Sequence, residues 1–180
     1  MKNQRVSTFV IAAISTSVLL GVALAAQDRY TLTVPDGLAF AEFKGYDTWQ
    51  DVSVSETASS VKAIVANPIM IKAFQEGIPA NGKPFPEGSK IVKIEWIKTK
   101  NPISPYFVEI PDYLKNVDLI EKDSKRFPQT NGWAYAQFTY DPATQTFKPS
   151  DLSKTGHECG YACHTITKAT DYIFTKYPFR

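Results

Sequence analysis

The 180-residue chain carries 20 basic and 18 acidic side chains, a formal net charge of +2, with 43% hydrophobic and 13% aromatic residues. A balance this close to neutral, with no Lys/Arg stripe along it, argues against a nucleic-acid backbone or an anionic membrane surface as partner. The apolar content excludes disorder, and the length suits one domain with its own core.

Met1-Lys2-Asn3-Gln4-Arg5 places two positive charges ahead of an uncharged apolar run from Phe9 to Leu24. That is the n-region and h-region of a secretory signal peptide, and Ala23-Leu24-Ala25 supplies small residues for cleavage after Ala25 or Ala26. A membrane anchor is the rival reading, but Ser15, Thr16 and Ser17 interrupt the run and no basic stop-transfer cluster follows. The expectation is a signal peptide over residues 1–26 and a mature domain over 27–180, exported to the periplasm and free of the membrane once the signal is removed. Cleavage removes Lys2 and Arg5 and no acid, which leaves 18 basic against 18 acidic residues.

No repeat or linker divides the mature chain, so it reads as a single α+β domain. Tyr30-Thr31-Leu32-Thr33-Val34 alternates and stops at Pro35-Asp36-Gly37, which predicts a first strand and a turn. Val61 to Ala66 predicts a second strand, and Asn67-Pro68 a helix start, with Asn capping and Pro at the first helical position. Ile69, Met70, Ala73 and Phe74 share one face of that helix, and Gly77 ends it. After the turn Pro84-Phe85-Pro86-Glu87-Gly88, the segment Lys90 to Ile97 predicts a strand with Val92, Ile94 and Trp96 on one face and Ile91, Lys93 and Glu95 on the other. Tyr106 to Ile110 and Trp133 to Tyr140 predict further strands, and Ile166, Ala169 and Ile173 recur at helical spacing before Pro178.

The two cysteines stand four residues apart, too close to staple distant loops, and one of the two histidines directly follows the second cysteine. Cys159-Gly160-Tyr161-Ala162-Cys163-His164 resembles the attachment motif of c-type haem, in which two thiols add to the vinyl groups and the adjacent His ligates iron. The usual spacing has two residues between the cysteines; here there are three. A local Cys159–Cys163 disulfide is the bland alternative, and zinc is weaker, since Cys159, Cys163 and His164 need His157 as a fourth ligand. His157 itself reads as a surface loop residue, and Met70, on an apolar face, as core rather than an iron ligand.

Phe85-Pro86-Glu87-Gly88-Ser89-Lys90-Ile91-Val92-Lys93, Glu121-Lys122-Asp123-Ser124-Lys125-Arg126-Phe127, Gly132-Trp133-Ala134-Tyr135 and Glu158 to His164, with Asp171-Tyr172-Ile173-Phe174-Thr175 behind, follow one another as ordered blocks. In them the sequence resembles the cytochrome P-460 family. The resemblance implies a largely antiparallel β-sheet with a few short helices and a C-terminal haem-attachment helix. It also implies one c-type haem per chain and a homodimer. The family includes hydroxylamine-oxidising enzymes, which pass electrons to an exported acceptor, and the related cytochromes c′-beta, which bind nitric oxide or carbon monoxide without turnover. The enzymes link a strand lysine covalently to the porphyrin edge, which corresponds here to Lys93, with Lys90 the fallback of opposite parity. They also hold a carboxylate over the open side of the iron. Asp118 stands at that position, where family members use Glu. Cys159 and Cys163 would bind the cofactor and His164 the metal. Judged by residue type alone, Lys93 is a solvated strand residue and Asp118 a cap or turn acid.

Overall fold

The computed structural model describes residues 26–35, 37–153 and 158–180; His157 and almost all of the expected signal peptide lie outside these, as does the side chain of Cys159. Six strands follow one another in chain order across one antiparallel sheet: β1 (Gln50–Glu56), β2 (Ser60–Ala66), β3 (Lys90–Lys100), β4 (Glu109–Lys122), β5 (Trp133–Asp141) and β6 (Thr146–Pro149). Two short α-helices accompany them, α1 (Pro68–Gln75) and α2 (Glu158–His164), with several 3-10 turns. The expected mostly antiparallel fold with a few short helices is therefore present. Among the described residues no helix is long and apolar enough to cross a membrane.

Strand alternation gives the sheet two buried faces. On one, Val92, Val117, Leu119, Ala136 and Phe138 meet the N-terminal segment, where the Phe40 ring lies 4.9 Å from Phe138 and 5.4 Å from Phe147. On the other, Ile64, Ile91, Trp133 and Tyr135 meet α1 and the C-terminal segment at Tyr172 and Ile173. The first turn of α1 forms as its sequence dictates. Asn67 accepts the Met70 N–H at 3.1 Å, and Pro68 occupies the position where a missing N–H costs nothing. Its buried side is Met70, Ile71, Ala73 and Phe74, while Ile69 is exposed. Met70 is wholly buried in the core.

Three predicted elements differ. Tyr30 to Val34 is no strand: Arg29–Thr31 forms a 3-10 turn capped by Asp28, and only Thr33 bridges to Ala39. Aromatic burial outweighs pairing there, since the Tyr30 ring packs edge-on against Phe40 and the Arg29 guanidinium sits over Tyr30, Phe40 and Tyr46. The predicted strand from Tyr106 starts only at Glu109, and Tyr106 and Phe107 stand exposed at the β3–β4 turn. Pro111 is tolerated inside β4 because β5 joins only from Asn116, so beside Pro111 the strand pairs with β3 on one side and, among the described residues, with no strand on the other. Finally, helical spacing through Ile173 fails. After α2 the chain tightens into a 3-10 stretch, Thr165–Thr170, and reverses at Asp171 and Tyr172, whose φ angles of 49° and 65° are left-handed.

Candidate functional site

Lys93 faces the α2 side of the sheet, as its parity requires. In register it lies opposite Ile64 on β2 and Asp118 on β4, and Asp118 lies opposite Gln137 on β5. The three polar side chains form one row across β3, β4 and β5: Lys93 Nζ is 3.3 Å from Asp118 Oδ2, and Gln137 Nε2 donates to Asp118 Oδ1 at 2.8 Å. Lys90, of opposite parity, turns to the other face, where its Nζ pairs with Glu121 at 3.2 Å and donates to the Glu42 carbonyl at 2.8 Å.

Asp118 is a mid-strand residue and caps nothing. Burial pushes its carboxyl above the ordinary aspartate value, while the Lys93 charge and the Gln137 hydrogen bond pull it back. Oδ2 is buried and, despite the nearby ammonium, has no hydrogen-bond partner. It therefore keeps a lone pair able to take a proton from a group beside it.

Helix α2 reaches the sheet through Gly160. A Cβ there would lie 2.3 Å from Tyr135 Cβ and 2.6 Å from its Cγ, so only glycine lets the helix sit this close to β5. Gly160→Ala is accordingly expected to lift α2 and cost about 1–3 kcal/mol of stability, the usual range for overpacking, read as a lowered Tm.

His164, at the end of α2, is half-buried, with its ring 4.6 Å from Tyr135 and 4.7 Å from Phe174. Nδ1 lies 2.5 Å from the Tyr172 carbonyl, so Nδ1 carries the proton as donor and the Nε2 lone pair is left for a metal. Burial lowers the imidazole's proton affinity against the opposing pull of that carbonyl, and the Lys93 charge lowers it further.

These side chains line one cavity of about 340 Å³, the size of a ligand pocket. Lys93, Asp118 and Gln137 form one part of its wall, and Cys163 and His164 another. Cys163 carries a free, exposed thiol. The rest of the lining is mainly apolar, with Ile64, Ile91 and Ile120 on the sheet and Leu152 and Phe174 still 59% and 52% exposed. Lys93, Asp118, Cys163 and His164, separated by up to 71 positions in sequence, thus meet in one place. One nitrogen donor, one thiol and uncovered apolar walls suit a flat apolar macrocycle carrying one metal. The zinc alternative turns on His157 and the Cys159 side chain, which lie outside the described residues.

Sequence reasoning missed Gln137, Tyr135, Gly160 and the Tyr172 carbonyl. Gln137 had a signal: it is the polar residue in Trp133-Ala134-Tyr135-Ala136-Gln137-Phe138, a strand otherwise built for burial. The backbone carbonyl had none.

A family model described as Cytochrome P460 matches residues 43–175 of the 180. Among curated proteins, none matches the chain.

Proposed function

The chain belongs to the cytochrome P460 family, and from that membership, which implies haem binding, we propose an exported cytochrome with one c-type haem per chain that oxidises hydroxylamine to nitric or nitrous oxide. The observation that carries this reading is the convergence of Lys93, Asp118, Cys163 and His164 on one cavity.

Cys159 and Cys163 would hold the haem by thioether bonds, and His164 would ligate iron through Nε2. When bound, the haem supplies the redox centre through which electrons pass from the small nitrogen substrate to an exported acceptor. The chain's own groups do the rest. Asp118 Oδ2 takes up protons released by the substrate, and Gln137 fixes that carboxylate's rotamer by holding Oδ1. Ile64, Ile91 and Ile120 line the pocket beside Asp118 with apolar surface, which lowers the local polarity around that carboxylate. Lys93 stands where the family's enzymes carry their link to the porphyrin edge. The protein would work in the periplasm as a homodimer, with residues 1–26 as the export signal.

A second reading, capture of nitric oxide or carbon monoxide without turnover, is favoured by the apolar part of the lining. One preparation separates the two. Mature protein from a host that matures c-type cytochromes should give a haem-stained band after denaturing electrophoresis, and its ferrous band should lie well to the red of an ordinary c-type haem. An unstained band overturns haem attachment, and a stained band with an ordinary high-spin spectrum favours the gas binder.

A further inference from the structure

Seven residues after His164, Asp171 carries a carboxylate gathered into a buried set of donors that the chemistry above does not use. Lys122 Nζ reaches both oxygens at 3.0 Å, Trp133 Nε1 donates to Oδ1 at 3.2 Å, and the Phe85 N–H donates to Oδ2 at 2.8 Å. Lys122 is only 6% exposed and lies 4.9 Å over the Trp133 ring, so this ion pair is sealed in the sheet's core. The donors come from β4, β5 and the turn before β3, three places fixed by the sheet.

What they fix is a reversal the chain would not choose unaided. Asp171 and Tyr172 are consecutive left-handed residues, neither of them glycine, a conformation that persists only where surrounding contacts impose it. The reversal brings the Tyr172 carbonyl back to His164 Nδ1. A metal-bound histidine's basicity and ring orientation depend on the partner of its other nitrogen. We propose that Asp171, locked by Lys122 and Trp133, is a positioning residue that aims the Tyr172 carbonyl at His164 and so tunes the proximal ligand. The proposal rests on His164 ligating the haem iron.

The test compares wild type with Asp171→Asn, because asparagine tolerates left-handed backbone, removes the charge and turns one oxygen acceptor into an NH2 donor that faces the donors now holding the carboxylate. Circular dichroism first establishes that the variant is folded. In the ferrous haem-loaded protein the iron–histidine stretch should fall in frequency and the midpoint potential should rise, since a weaker Nδ1–H···O bond makes a less basic ligand. Trp133→Phe, which removes one donor, should shift both in the same direction by less. Glu95→Gln, which removes another buried charge that is held by Ser60 and Lys115, should leave the iron–histidine stretch unmoved. An unshifted stretch and potential in folded, loaded Asp171→Asn overturn the proposal and leave the haem reading intact. If the wild type carries no haem, the haem reading and the tuning of a proximal ligand fall together, and the 15N shifts of the His164 imidazole decide the remaining part of the proposal, that Asp171 aims the Tyr172 carbonyl at His164. A single Nδ1–H tautomer in wild type and a mixture in Asp171→Asn supports it, and one tautomer in both overturns it.

Discussion

Lys93→Ala is expected to abolish hydroxylamine oxidation and to move the ferrous absorption band from its red-shifted position back to that of an ordinary c-type haem. The reasons lie in where the sheet puts Nζ. Register fixes Lys93 between Ile64 and Asp118, and the carboxylate 3.3 Å away holds the ammonium at the cavity wall. A bond from that nitrogen to the macrocycle edge would distort the ring and alter the iron electronics, so its removal is read directly in the spectrum. Alanine has a second effect. The Lys93 charge is the largest influence drawing the Asp118 carboxyl down against its burial, so without it Asp118 holds its proton to higher pH and less of it is ionised and free to accept a proton in mildly acidic solution. If the wild-type spectrum is ordinary and Lys93→Ala leaves it unchanged, the oxidase reading fails and gas binding becomes the better account.

Asp118→Asn should do the reverse: keep the shifted band and lose turnover by about 10²–10⁴-fold, the usual contribution of a positioned proton acceptor. In wild type, the acid limb of turnover should fall at a pH above the ordinary aspartate value of 3.8, because burial raises this carboxyl. The variant should lose that limb. The sign of the stability effect is equally definite. The folded carboxyl binds its proton more tightly than the unfolded one, so its stabilising contribution is present at low pH and fades as pH rises through the folded pKa. At neutral pH the ionised Asp118 therefore favours unfolding, and Lys93, whose side chain is 33% exposed, keeps access to water when the charge opposite is removed. Asp118→Asn should accordingly retain the wild-type Tm. A lowered Tm together with an unchanged acid limb would mean that Asp118 is structural.

Much of the sheet was legible because β2, β3 and β5 are apolar, β-branched or aromatic runs bounded by turn residues, and the parity of Lys93 could be read from its neighbours Val92 and Ile94. β1 was not. Gln50-Asp51-Val52-Ser53-Val54-Ser55-Glu56 is an edge strand that buries Val52 alone, so its pattern carries almost no apolar signal. β4 hid behind Pro111 and its many charges, of which Glu121 and Lys122 are buried because partners outside the strand neutralise them. The chemistry expected at Cys163 and His164 came from the Cys159 to His164 motif together with the family resemblance. The groups that orient it, Gln137 and the Tyr172 carbonyl, depend on cross-strand register and on a chain reversal, and neither exists until the fold does.

The irregular pairing in the outer half of the β3–β4 hairpin has a consequence for how this chain tolerates changes of length. Register shifts between Glu95 and Trp96 and between Trp96 and Lys98 separate the inner rungs, including Lys93 with Asp118, from the outer rungs that pair Lys98 to Lys100 with Pro111 to Glu109. A residue added at the tip, between Asn101 and Val108, is absorbed before it reaches the polar row. A residue added between Lys93 and Glu95 would instead send alternate side chains to the wrong face and dismantle that row. The tip, with Ile103, Tyr106 and Phe107 already in solvent, is thus the place where a foreign segment, an epitope or a fluorophore can be carried without cost to the pocket.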